Sequence, residues 1–174
     1  MRNGEWANNG LLAKGGMAVI VVSIPGRNEL IIHQVVFDFN GTLATDGKLS
    51  AETIEVIDRL KREVQVHIIT SDTYGTARAA CQDLGVDLVT LSTDRAAEQK
   101  KAHVEQYGAS TTCSIGNGAN DVLMFQTSAL AIMVIGHEGG ATKALQSADI
   151  VVTSIESAIE LLLMPHRIVA ALRD

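Results

Sequence analysis

The strongest constraint on the fold of this 174-residue chain is a repeated pairing of a short apolar run with a stretch whose apolar residues recur at helical spacing. The first run, Val35-Val36-Phe37-Asp38-Phe39-Asn40-Gly41-Thr42-Leu43, reads as a buried strand that breaks into a glycine turn. Ser50 then caps a helical stripe of Ile54, Ile57 and Leu60, and 64–70 is the next strand. Ala77, Ala80, Cys81 and Leu84 make a second stripe, ended by Gly85 where helices favour a left-handed residue. The alternation continues with strands at 87–91, 112–115, 130–135 and 149–152, and with helices at 94–107, 120–127 and 141–146. A closing helix carries Ile155, Ile159 and Leu162, and Pro165 opens a last turn or helix to Leu172. Parallel strands need long crossovers, so repeated βα units of this length imply an α/β fold: a mainly parallel sheet with helices on both faces.

Ahead of the first βα unit, 18–23 and 29–33 are β-rich and flank Pro25-Gly26-Arg27-Asn28, which reads as an N-terminal β-hairpin. Residues 1–16 are polar, with Asn-Asn-Gly and Gly-Gly, and read as a disordered extension. Residues 17–174 read as one domain, because a chain of this length with 47% hydrophobic residues buries about 70% of its unfolded surface around a single core. A net charge of −6 argues against a nucleic-acid or acidic-membrane partner. No apolar run is long enough to span a bilayer and no leader is evident, so a cytoplasmic location is expected. Cys81 and Cys113 each sit in an apolar stretch, as buried free thiols do.

The chemistry-bearing residues fall where strands end. Asp38 emerges from its apolar run into Asn40-Gly41-Thr42, placing a carboxylate at the mouth of the sheet, where open α/β folds bind ligands. The same tripeptide is also compatible with a plain turn. Thr70-Ser71-Asp72 puts hydroxyls at the next strand end, able to hold a phosphate oxygen or to cap a helix. Lys100 lies on the stripe of Ala97, Val104 and Tyr107, an inward cation that needs an anion, with Lys101 as its backup if the register slips. Gly116-Asn117-Gly118-Ala119-Asn120-Asp121 allows close backbone approach and offers oxygen ligands of the kind Mg²⁺ accepts. It is neither a dinucleotide fingerprint nor a Walker loop. The five histidines show no metal-ligand spacing.

These four segments, in this order and spacing, resemble the motifs of the haloacid dehalogenase superfamily, over residues 35–149. Asp38-Phe39-Asn40-Gly41-Thr42 is similar to its first motif, Thr70 to its second, Lys100 to its third, and residues 116–121 to its fourth. The wording of the second and fourth motifs looks most like the phosphorylation domain of P-type ATPases, and the whole resembles small soluble P-type-ATPase-like proteins. The resemblance implies a Rossmann-like three-layer fold and an Mg²⁺-dependent phosphohydrolase working through an aspartyl-phosphate. Asp38 would be the nucleophile, with Asn40, Thr70 and Lys100 completing the catalytic set. Gly41, Thr42, Ser71 and Asn120 would meet the phosphate, and Asp38, Asn40, Asn117 and Asp121 the metal. The substrate would be a phosphorylated small molecule or a phosphoprotein.

Two departures from the family pattern stand out. Asn40 replaces the usual Asp that acts as acid and base, and an amide cannot supply that ~10²- to 10⁴-fold contribution, which implies slow turnover and good leaving groups. Asn117 replaces a metal-binding Asp. With both changes, a non-hydrolysing phosphate-binding or regulatory module is the alternative. Only 31 residues separate Asp38 from Thr70 and 29 separate Thr70 from Lys100, which leaves no room for a cap domain and implies an open site. The apolar hairpin either serves as a homo-oligomer surface or extends the sheet.

Overall fold

The computed structural model describes residues 19–72 and 75–173. The proposed extension at 1–16 and the first residue of the hairpin lie outside the described residues. Two strands, β1 (Ile20–Val22) and β2 (Leu30–Ile32), form an antiparallel pair. The central strand β3 (Gln34–Asp38) follows, then α1 (Ala51–Leu60), β4 (Gln65–Thr70), α2 (Thr76–Cys81) and β5 (Asp87–Thr90). The second half runs α3 (Ala96–Tyr107), β6 (Thr112–Gly116), α4 (Val122–Thr127), β7 (Leu130–Val134), α5 (Thr142–Leu145), β8 (Ile150–Val152), α6 (Ile155–Leu163) and α7 (His166–Leu172).

The six-stranded sheet has the order β5-β4-β3-β6-β7-β8, with every neighbouring pair parallel. Counted from β3 this is the dinucleotide-fold order 3-2-1-4-5-6, and the order reverses between β3 and β6. Strand residues alternate between two apolar layers. Val35 and Phe37 of β3 join Ile68, Ile115 and Ile132 under α1, α2, α6 and α7. Val36 joins Ile69, Ala131 and Met133 under α3, α4 and α5. Because both faces are covered, β3 is apolar at consecutive positions instead of alternating, which is why the run from Val35 was conspicuous.

Helix α1 starts where Ser50 was expected to cap it, its hydroxyl accepting the Thr53 N–H at 2.9 Å. Ser154 caps α6 in the same way. Three helices are shorter than their stripes. Residues 93–95 and 119–121 are 3₁₀ turns that precede α3 and α4, and α2 ends at Cys81, short of Leu84. At 119–121 the cause is the Asp121 carboxylate, which turns back to accept the Asn117 and Gly118 N–H groups and tightens the turn.

The hairpin makes a separate two-stranded sheet and does not extend the parallel one. Its Ile20, Val22 and Ile32 are buried in the chain's own core with Ile168 of α7, whereas Leu30 and Ile31 are partly exposed. Both cysteines are free and buried, as expected. No cap domain interrupts the described residues between Asp38 and Lys100. None of the described helices is long and apolar enough to cross a membrane.

Candidate active site

Asp38 is the last residue of β3, and Gly116 ends β6 beside it, so the loops after these strands open at the point where the strand order reverses. Lys100 reaches this point from the middle of α3. Its side chain is fully buried, and Nζ donates to Asp38 Oδ1 and to Asp121 Oδ1, each at 2.6 Å. Lys101 points outward and pairs with Glu105 at 3.6 Å, so the inward cation is Lys100.

Two carboxylates around one ammonium leave a buried net charge of about −1 when all are ionised. Burial, together with the Asp121 carboxylate, pushes Asp38 up to about 6, against the pull of Lys100. Burial opposes the charge on Lys100, but the two carboxylates outweigh it and raise its pKa above the ordinary lysine value.

The Asp38 carboxylate is lightly held on its other side. Thr42 Oγ1 lies 3.5 Å from Asp38 Oδ2 and donates at 3.2 Å to Asn117 Oδ1. Gly41, at φ +74°, passes directly under the Asn117 side chain, and a Cβ there would collide with Asn117 Nδ2. Asp121 accepts three hydrogen bonds: Oδ1 takes the Lys100 bond, and Oδ2 accepts the Asn117 N–H at 2.9 Å and the Gly118 N–H at 2.8 Å. Asn40 is exposed at the mouth.

Asp38, Gly41, Thr42, Lys100, Asn117 and Asp121 are therefore brought together by direct contacts. Thr70 ends β4, adjacent to β3, and is buried, but its hydroxyl accepts the Asp72 N–H at 3.1 Å. Among the described residues no hydrogen bond joins Thr70, Ser71 or Asn120 to Asp38 or Lys100. Neither Ser71 nor Asp72 is the N-cap of α2, a position held by Gly75; Asp72 reaches the first turn instead, its carboxylate accepting the Ala77 N–H at 2.7 Å and the Thr76 hydroxyl at 3.0 Å. His67 is structural: it bridges Gln34 and Asp87 and stacks on Tyr107.

The sequence reading missed the loop after β7, residues 135–141, which lies against the site. Asn117 Nδ2 donates to the Gly139 carbonyl at 3.0 Å, and Ala141 N–H donates to the Asn117 carbonyl at 2.8 Å. The signal available was Gly136 directly beyond the apolar run ending at Ile135, with Gly139-Gly140 three residues further. A cavity of about 240 Å³ lies between this loop, the loop after Asp38 and the ends of β7 and β8, lined in part by Thr42, Thr45, Lys48, Gly136, His137 and Glu156.

In fold and strand order the chain is similar to solved phosphatases of the haloacid dehalogenase superfamily, a likeness of fold. The 3-deoxy-D-manno-octulosonate 8-phosphate phosphatase of Moraxella catarrhalis, solved with magnesium, phosphate and KDO, matches with a TM-score of 0.66 at 17% identity, over 80% of this chain and 90% of that one. The cobalt-bound deoxy-D-mannose-octulosonate 8-phosphate phosphatase of Haemophilus influenzae matches with a TM-score of 0.63 at 21% identity, over 81% and 89%. In sequence, the chain is 29% identical over 137 residues to a soluble P-type ATPase-like phosphatase of Methanocaldococcus jannaschii, covering 77% of this chain and 50% of that protein. It is 48% identical over 61 residues to an uncharacterized protein of the same organism, covering 35% of this chain and 66% of that protein. The chain thus spans between half and about two thirds of the length of these relatives. No family model matches it.

Proposed function

We propose that the chain is a capless, Mg²⁺-dependent phosphatase that works through an aspartyl-phosphate on Asp38. The observation that carries this reading is the Asp38–Lys100–Asp121 triad, buried at the reversal of strand order with Asp38 Oδ2 lightly held beside an open loop. The donor set suits a hard divalent cation. Carboxylate, amide and main-chain carbonyl oxygens, as offered by Asp38, Asn117 and Asn40, are the donors such a cation takes. Asp38, the Asn40 main-chain carbonyl and Asn117 Oδ1 would hold it. Asp121 orients Lys100 and the 117–118 turn, and its Oδ1, which accepts only the Lys100 bond, keeps a lone pair for the cation. When bound, the cation draws charge from the transferring phosphoryl group and offsets the net negative charge of the triad.

Asp38 Oδ2 attacks phosphorus as the ester P–O bond breaks and the alkoxide or phenolate leaves to take a proton from water, while Lys100 holds Oδ1 in place and Thr42 flanks the attacking oxygen; water then cleaves the acyl phosphate, releasing inorganic phosphate and regenerating the carboxylate. Thr70, Ser71 and Asn120, at neighbouring strand ends, would meet the outer phosphate oxygens. Asn40 can neither protonate the leaving group nor activate water, so turnover is slow and esters with good leaving groups are preferred. The neighbouring phosphatases act on a sugar-acid phosphate by name, and the 240 Å³ cavity next to Thr42 likewise fits a phosphorylated small molecule better than a protein surface. Two free, buried thiols fit a reducing cytoplasm.

Phosphate release from an aryl phosphate, with Asp38→Asn as the control, tests the reading. Metal-dependent release that disappears in Asp38→Asn supports it, and release that survives the substitution overturns it. Beryllium fluoride binding without any release would instead identify a non-hydrolysing phosphate-binding module, the reading that Asn40 and Asn117 favour.

A further inference from the structure

Asn117 departs from the family pattern, and its surroundings give a reason. Its backbone N–H donates to Asp121 Oδ2, and its carbonyl accepts from Ala141 N–H. Its side chain accepts from Thr42 Oγ1 at 3.2 Å and donates to the Gly139 carbonyl at 3.0 Å. One residue thereby ties together the loops after β3, β6 and β7. The last of these is otherwise held by its own Gly139 N–H to Gly136 carbonyl bond and by the Asp46 N–H, which donates to Glu138 Oε1 at 2.8 Å. Gly136 and His137 of that loop face Thr42 and Thr45 across the cavity.

We propose that the Asn117 side-chain amide is the pin that fixes this cavity wall, a positioning role that a carboxylate cannot fill. A carbonyl oxygen only accepts, so contact with Gly139 requires the NH₂ end of the amide on that side and thereby turns Oδ1 toward the Thr42 hydroxyl. An aspartate would set an acceptor against the Gly139 carbonyl and leave both without a donor. The same geometry explains why residue 41 is glycine: Asn117 Nδ2 occupies the space a Cβ would need. The pin adds to the phosphatase reading a determinant of leaving-group fit, and its kinetic consequence rests on that reading.

Asn117→Asp separates the two possible roles of this side chain, since it adds charge for a cation while removing the pin. The Gly139 and Ala141 amide hydrogens, both bonded within the pinned region, are the reporters for hydrogen exchange. Loss of one such bond should speed their exchange about three- to tenfold. Alongside this, Mg²⁺ titration followed by beryllium fluoride binding should show affinity equal to or tighter than wild type, while KM for an aryl phosphate rises more than kcat falls. Exchange at both amides within twofold of wild type overturns the pin, as does weaker Mg²⁺ binding with an unchanged KM. Should Asn117→Asp fail to fold, Asn117→Ala must show the same faster exchange. If the wild-type protein releases no phosphate, the phosphatase reading falls, and the exchange measurement still decides the pin by itself.

Discussion

Replacing Lys100 with methionine removes the cation from the centre of the site at nearly constant volume. Lys100 is fully buried and makes two 2.6 Å bonds, so the variant strands the Asp38 and Asp121 carboxylates in a water-poor interior. Breaking a buried pair from one side costs about 3–5 kcal/mol, a large share of the total for a domain of this size. The cost should depend on pH in a defined direction. Asp38 is already raised from 3.8 to about 6 in the presence of Lys100, which pulls it down, so without the lysine it must rise further. A carboxyl whose folded pKa exceeds its unfolded value binds its proton more tightly in the native state. Its contribution to stability is therefore fully present below the unfolded value and lost as pH rises through the folded one. In the wild type that loss is complete a little above pH 6, whereas in Lys100→Met it continues toward higher pH. The gap in unfolding free energy should thus be wider at pH 8 than at pH 5.5. Urea midpoints for both proteins at the two pH values, with slopes compared, measure it. A loss below about 1 kcal/mol, or one that is the same at both pH values, would refute the claim that Lys100 neutralises these carboxylates.

Three further outcomes can be checked together. On the proposed mechanism Asp38 attacks as the carboxylate, so kcat/KM should fall on the acid side with an apparent pKa at or below about 6, a bound cation moving it downward; a limb centred above 7 in the pH–rate profile contradicts this. Gly41→Ala forces a left-handed φ on a residue with a Cβ and drives it into Asn117, so it should lose roughly 2–4 kcal/mol of stability and most of its activity; a urea midpoint within error of wild type would show that the loop relaxes. Asn40→Asp restores an acid and base beside the nucleophile and should raise aryl-phosphate turnover, up to the ~10²- to 10⁴-fold that such groups supply. Unchanged steady-state rates with Mg²⁺ binding intact would remove Asn40 as the cause of slow turnover.

The layered fold was readable before any coordinates because its signals are local. A short apolar run such as 35–37 bounded by a glycine turn reads as a strand covered on both faces, stripes of period 3.6 read as helices with one buried face, and Ser50 announces α1 by its side-chain oxygen. Asp38, Gly41 and Lys100 were legible for the same reason, through a strand end, a turn and an inward helix face. What escaped is what depends on partners distant along the chain. Composition alone did not reveal that the hairpin would bury its apolar residues against α7. Local spacing does not show that Asp121 bonds Lys100, a contact made across 21 residues. Nor does it show that the Asn117 amide meets the Gly139 carbonyl of the 135–141 loop, which the pairing of β6 with β7 brings alongside. Periodicity and capping are properties of neighbouring residues and so are written in the sequence. The pairing of buried charges and amides is set by packing, since each such group takes whichever partner the closed core leaves within hydrogen-bond reach.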